Sequence, residues 1–483
     1  MSFNSETYLQ DQVRKQHEEP KASKHQLTLT GEPYDLDDAL HTAIVHADIT
    51  SLQRHVKQGD VTYEDIYKAY YNQVLRHKDA HAVISLNQAG IEEARARTYA
   101  EDHHPLYGIP VLVKDNINVA GMPTTAGAVF LGDFVPEEDA ALISQLKETG
   151  AIVLGKTNLT EWANFMTTDS ANGFSALGGQ TKNPHGPFDV GGSSAGSGAA
   201  LALQMSPVAI GTETAGSVIY PASQNGTVGL KPTLTVVSQD GIIPVAASHD
   251  TAGPMANTVT DCAYLFEGMT SLKPLTKEEK PDLRTFSFGF LEDDALKQVY
   301  RGEDEAILAD FKKRLKATGA EVKTASVDSK AYALNIYDVL TYEFNAGVAS
   351  FFASEPKEAS LTEVVAFNEE DPENRACYGQ DLMKAASENR FSAEEIGDTV
   401  QSNADTAKAA LDEAFEEADL LVTISNYATT LYATSGYPAL TIPGYRRESG
   451  EPVGVTLIGR AYSDFTLLHV GALIEELGLT TKG

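Results

Sequence analysis

From about residue 108 onward, short apolar runs alternate with stretches of helical spacing, and this alternation restricts the possible folds more than any other feature. The run GIPVLV at 108–113 has no polar interruption, the mark of a strand buried on both faces of a sheet. Pro136, the acids Glu137, Glu138 and Asp139, and Gly150 after Thr149 then punctuate a helix. Residues 151–154 enter the next strand, and the same unit recurs at 303–318 with Gly319 and a following strand. Further strands are expected at 208–211, 286–290, 420–424, 439–442 and 453–458. Strands alternating with helices predict an α/β fold with a largely parallel or mixed sheet covered by helices on both faces.

Upstream, Thr62 is placed to cap a helix over 62–75. Asp65 sits three residues on, and Tyr63, Ile66, Tyr67, Tyr70 and Val74 form its packing face. Residues 1–30 are polar without a period and read as a frayed N-terminal arm, leaving 31–483 as the folded part. At ~100–200 residues per domain, 483 residues admit several domains. No Pro/Ser-rich linker, low-complexity tract or repeat divides them, so a single large domain is expected.

Charge and composition exclude several classes. With 68 Asp+Glu against 37 Lys+Arg the net charge is −31, and no basic stripe exists to neutralise phosphates, so no nucleic-acid partner is expected. Between 351 and 420 there are 18 acidic and 5 basic residues, which read as a solvated helical surface. No run approaches the ~18–20 apolar residues that span a bilayer, and no apolar segment marks a secretory signal at the N-terminus. Cys262 and Cys377 supply neither a disulfide framework nor a zinc site. The expectation is a cytoplasmic protein with reduced thiols, no metal and no membrane contact. His77 and His81, at i and i+4, have no third ligand in sight and read as surface residues.

The most unusual composition lies at 178–232: GGQTKNPHG, then GGSSAGSGAALA, IGTETAGSVIYPAS and GLKP. Glycine at this density costs backbone entropy and makes sense where backbone N–H groups approach a substrate. A phosphate loop of the Walker type is excluded, since no Lys-Ser or Lys-Thr follows the glycines, and GxGxxG does not occur here. Residues 192–196 satisfy G-x-S-x-G with Ser194 at the centre, but NPHGPFDV is a poor strand to precede a nucleophile elbow. His249 and His469 are available to such an elbow without supporting context. Lys114 offers a third reading. It closes the strand 111–113, where its charge must be paired, with Asp115 or with water, or be lost. Ser217 follows Thr214, Ala215 and Gly216, residues small enough to aim several N–H groups at one point, as an oxyanion hole requires.

GIPVLVKDNINVAGMPTTA (108–126), GGSSAGS and GTETAGS, closed by GLKP, together resemble the amidase signature family. The spacings agree: 79 residues from Lys114 to Ser193 and 24 from Ser193 to Ser217. The similarity runs from about residue 40 to the C-terminus, through DGIIPVAASHDTAGPMA and SGYPALTIPG. GKTNLTEWANF with GGQTKNP is most similar to the peptide amidases, which remove a peptide's C-terminal amide.

The resemblance implies the amidase signature fold over 31–483 and a Ser–cis-Ser–Lys triad that needs no cofactor. Ser217 would be the nucleophile, Ser193 the bridging serine and Lys114 the base. Ser194 would support them, and the N–H groups of Thr214, Ala215, Gly216 and Ser217 would receive the oxyanion. Lysine acts as a base only when neutral, so its pKa must fall from ~10.4 towards 7, a shift of roughly 4–5 kcal/mol. Many members read GTDxGGSIR at the nucleophile. Here Glu213 replaces Asp, Ala215 replaces Gly, and Ile219 stands where Arg is usual. Losing that Arg weakens any inference to a substrate carboxylate there. The implied activity is amide hydrolysis through an acyl-serine, on a peptide amide or another small amide. The alternatives are the amidase subunit of a tRNA-dependent amidotransferase and a hydrolase using Ser194.

Overall fold

The run 108–113 becomes a strand at the point where its side chains can be buried on both faces, and the rest of the sheet is assembled around it. The computed structural model describes residues 5–276, 279, 282–388 and 390–481. In chain order the strands are β1 (Val83–Leu86), β2 (Pro110–Lys114), β3 (Ile152–Thr157), β4 (Phe174–Ser175), β5 (Gly179–Gln180), β6 (Val208–Glu213) and β7 (Val228–Lys231). They continue as β8 (Thr251–Ala256), β9 (Ser287–Leu291), β10 (Glu321–Ala325), β11 (Leu420–Ile424), β12 (Ala439–Arg446) and β13 (Pro452–Ile458). Among the described residues β4 and β5 pair alone, and the other eleven form one sheet in the order β1-β3-β2-β6-β8-β7-β12-β13-β11-β9-β10.

The sheet is mixed in an ordered way. β3-β2-β6 and β11-β9-β10 pair in parallel, while the strands between β6 and β11 and the edge strand β1 pair antiparallel. Helices cover it, and Val111, Leu112 and Val113 are wholly buried between the layers. The α/β reading therefore holds, and the chain folds as one unit around this sheet. No described helix is long and apolar enough to cross a membrane.

Local chemistry accounts for the element ends. The helix Tyr63–Arg76 starts at a complete capping box in which Thr62 and Asp65 each bond the other's backbone N–H. It buries Tyr63, Ile66, Tyr67, Tyr70 and Val74. One expected start is corrected. The helix after Pro136 begins only at Ala141, because Asp139 is drawn away to accept the Ala120 N–H at 2.8 Å and to pair with Lys147. The acidic stretch forms helices, including Ala393–Glu417, whose Ile396, Ala407, Leu411 and Phe415 face inward while its acids face solvent.

The N-terminal arm also differs from expectation. Ser5–Val13 is helical and continues as a wider π-type turn through Arg14–Glu18, with Gln12, Lys15 and Gln16 buried. Its polar residues have no apolar period because their partners are polar groups of the site.

Candidate active site

Lys114 ends β2 with no solvent exposure. Its Nζ donates to Ser193 Oγ at 2.8 Å, Thr212 Oγ1 at 2.8 Å and Thr212 O at 3.2 Å. Burial pulls its pKa down to about 7, against the attraction of Asp250 and Glu213. Asp115 does not pair with it. That carboxylate turns to Lys156 of β3 at 3.1 Å and accepts from the Thr125 hydroxyl and N–H. A buried lysine adjacent to an aspartate in sequence is thus left, among the described residues, without a carboxylate in contact.

The glycine–serine run lies on a loop, with no strand before it. Asp189 organises that loop, accepting from Gly191 N–H, Asn172 Nδ2, Gln16 Nε2 and the Tyr220 hydroxyl. The Gly192–Ser193 peptide bond is cis, and Ser193 O accepts from Thr160 N–H. A Cβ at Gly192 would lie 2.6 Å from Thr160 Oγ1, so this position has room only for glycine. The following helix, Ala195–Ala202, is made of small residues because it lies almost on its neighbours. A Cβ at Gly196 would meet the carbonyl oxygens of Ala82 and Asn158 at 2.4 Å. Ser194 is buried, with its N–H on Ser217 O and its hydroxyl on Thr212 O at 3.1 Å. His249 bonds Ser248 and Thr434 instead, and burial lowers its pKa to about 4.

The loop Thr214–Ser217 leaves β6 at Glu213, whose longer side chain spans it. Glu213 Oε2 accepts from Val218 N–H at 2.7 Å and Ile219 N–H at 2.9 Å, and burial raises its pKa. Thr214 Oγ1 donates to Asp250 at 2.6 Å. Asp250 also accepts from Val245 and Ala246 N–H, and burial lifts its pKa to about 6. Gly216 has φ +95°, a conformation that favours glycine. Ala215 and Ser217 then face a cavity of about 570 Å³, walled also by Gly192, Asn164, Asn172 and Tyr220.

The structure therefore gathers Lys114, Ser193, Ser194 and the 214–217 loop at one place. Trp162 is not at the cavity. It is buried edge-on to Phe344, while Asn164 two residues on reaches the cavity wall. Ile219 is buried in an apolar cluster with Leu431 and Tyr432. The site still has a guanidinium, because Arg301 reaches the cavity wall from elsewhere in the chain, paired with Glu451 at 3.0 Å and donating to the Tyr427 hydroxyl. Sequence reasoning missed Arg301, Asn172, Asp189 and Thr212. Thr212 stands inside GTETAGS and Asp189 just ahead of the glycines, whereas Arg301 lies far from any recognised motif. Among the described residues no group of His, Cys, Asp and Glu is arranged to hold a metal ion.

A buried lysine bonded to a serine hydroxyl thus lies close to the tight loop that ends at Ser217, at the wall of the cavity. The model of the family Amidase matches residues 65–468, and the chain belongs to that family, hydrolases of amide C–N bonds. It is similar to the crystal structure of an amidase family protein from Bacillus anthracis, with a TM-score of 0.85 and 34% identity over 92% of this chain and 93% of that one. The native peptide amidase of Stenotrophomonas maltophilia superposes with a TM-score of 0.81 and 34% identity, over 89% of this chain and 97% of that one. One subunit of the glutamyl-tRNA(Gln) amidotransferase of Thermus thermophilus is 32% identical over 466 residues, 88% of this chain and 96% of that one.

Proposed function

We propose that this chain hydrolyses a small carboxamide, a peptide C-terminal amide or one like it, to acid and ammonia through an acyl-enzyme on Ser217. The observation that carries the reading is Lys114, fully buried, bonded to Ser193 Oγ and, among the described residues, without a carboxylate in contact. With its pKa drawn to about 7 it is largely neutral above that pH and can take a proton. Ser193 passes its proton to Lys114 and receives the one that Ser217 loses as Ser217 Oγ attacks the carbonyl carbon. The N–H groups of Thr214, Ala215, Gly216 and Ser217 receive the oxyanion, and Ser194 braces the loop through Thr212. The proton held by Lys114 returns through Ser193 to the leaving nitrogen as the C–N bond breaks. Water then repeats the sequence on the acyl-serine and frees the acid. These steps use only this chain's groups and draw on no cofactor.

Arg301 is already paired with Glu451, so a free substrate carboxylate gains less there than from an unpaired cation. Incubation with a C-terminally amidated dipeptide should therefore release ammonia and leave the internal peptide bond whole, as shown by amino-acid analysis. Free amino acids without ammonia would make the protein a peptidase instead. The similarity to an amidotransferase component supports a second reading, an ammonia-releasing member of a larger complex. Ammonia release by the purified chain, without ATP or tRNA, decides for the free hydrolase.

A further inference from the structure

The helix Ser5–Val13 and the turn after it grip the two segments that frame the site. Asn172 Nδ2 donates to the Tyr8 hydroxyl at 3.0 Å, and Asn172 N–H donates to Gln12 Oε1 at 2.8 Å. Gln12 Nε2 donates to Ser170 O. One turn on, Gln16 Nε2 donates to Asp189 at 2.6 Å and Gln16 Oε1 accepts from Val190 N–H, directly before Gly191–Ser193. Gln12 and Gln16 are 2% exposed, so these bonds are shielded from water and hold the helix firmly.

Behind this helix lies a second, larger cleft of about 1000 Å³, and Ser5, Leu9 and Arg301 line both it and the 570 Å³ cavity. We infer that the N-terminal helix is the end wall of the Ser217 cavity and that the Leu9 side chain sets how long an apolar acyl chain the site accepts. The cavity already presents Leu9, Leu296 and Val299 to a ligand, which suits short amides with an apolar chain. Beyond Leu9 the chain would enter the larger cleft. The inference rests on the amidase reading above.

The test compares ammonia release from two N-acylated dipeptide amides, one acetyl and one decanoyl, in wild type, Leu9→Ala and Leu9→Trp. Wild type should favour the acetyl amide in kcat/KM. Leu9→Ala should raise the decanoyl-to-acetyl ratio about tenfold or more, the scale of a few methylenes gaining room, and Leu9→Trp should lower it. The opposed substitutions keep the test decisive if one of them folds poorly. Equal wild-type kcat/KM for both amides, with a ratio neither substitution moves, overturns the wall and leaves the amidase reading standing. Ammonia from neither amide overturns that reading and the wall with it.

Discussion

Lys114 is placed at the expense of stability. Lowering its pKa from 10.5 to about 7 costs the fold about 5 kcal/mol at neutral pH. Between those two values the unfolded chain binds a proton that the native chain does not, so this penalty shrinks as pH rises from 7 towards 10.5. Lys114→Met should therefore lose ~10²–10⁴-fold or more in turnover. The same variant should be more stable than wild type at pH 7, with an advantage that fades by pH 10, as urea titrations at the two values would show. Wild-type kcat/KM should in turn fall on the acid side of pH 7 as Lys114 protonates. The lysine was legible in the sequence because a cation closing an apolar run is costly. Its isolation was not, since whether Asp115 would face Lys114 or Lys156 depends on how β2 and β3 pair.

The end of the loop between β6 and the helix Ile219–Asn225 is held by the buried carboxylate of Glu213. Glu213→Ala strands the N–H groups of Val218 and Ile219 and should cost about 1–3 kcal/mol per orphaned group, with a matching loss of turnover as the loop relaxes. Glu213→Gln keeps an acceptor oxygen and should recover most of that stability in denaturant titration. At the start of the helix Tyr63–Arg76, Thr62→Ala breaks the capping box and should cost about 1 kcal/mol with activity intact. Elements whose signal is local were readable: the capping box, the apolar strand β2, and β11 at 420–424. Others draw their stability from partners distant in sequence. β7 (VGLK) and β8 (TAGPMA) have weak strand composition and pair with each other and with β12 and β6. The N-terminal helix and the turn after it show the same dependence, since their buried glutamines bond Ser170, Asn172, Asp189 and Val190, far along the chain.

Across the whole molecule a net charge of −31 makes self-repulsion a real term. Raising salt from about 0.01 M to about 1 M shortens the screening length from ~30 to ~3 Å. Tm should rise over that range, whereas a fall would show that surface ion pairs outweigh the repulsion. The same scale explains the site. The sheet and its loops bring Lys114, Ser193 and Ser217 together from three stretches, and the motif spacings made those stretches readable before their meeting point was. The cavity's far wall, with Leu9 and Arg301, comes from segments without a motif. Every step of the proposed reaction needs Ser217 as the nucleophile, and the most direct test is to treat the protein with a fluorophosphonate and locate the adduct by mass spectrometry. The adduct should sit on Ser217 and vanish in Ser217→Ala, whereas an adduct on Ser194 would contradict the account and restore the nucleophile elbow.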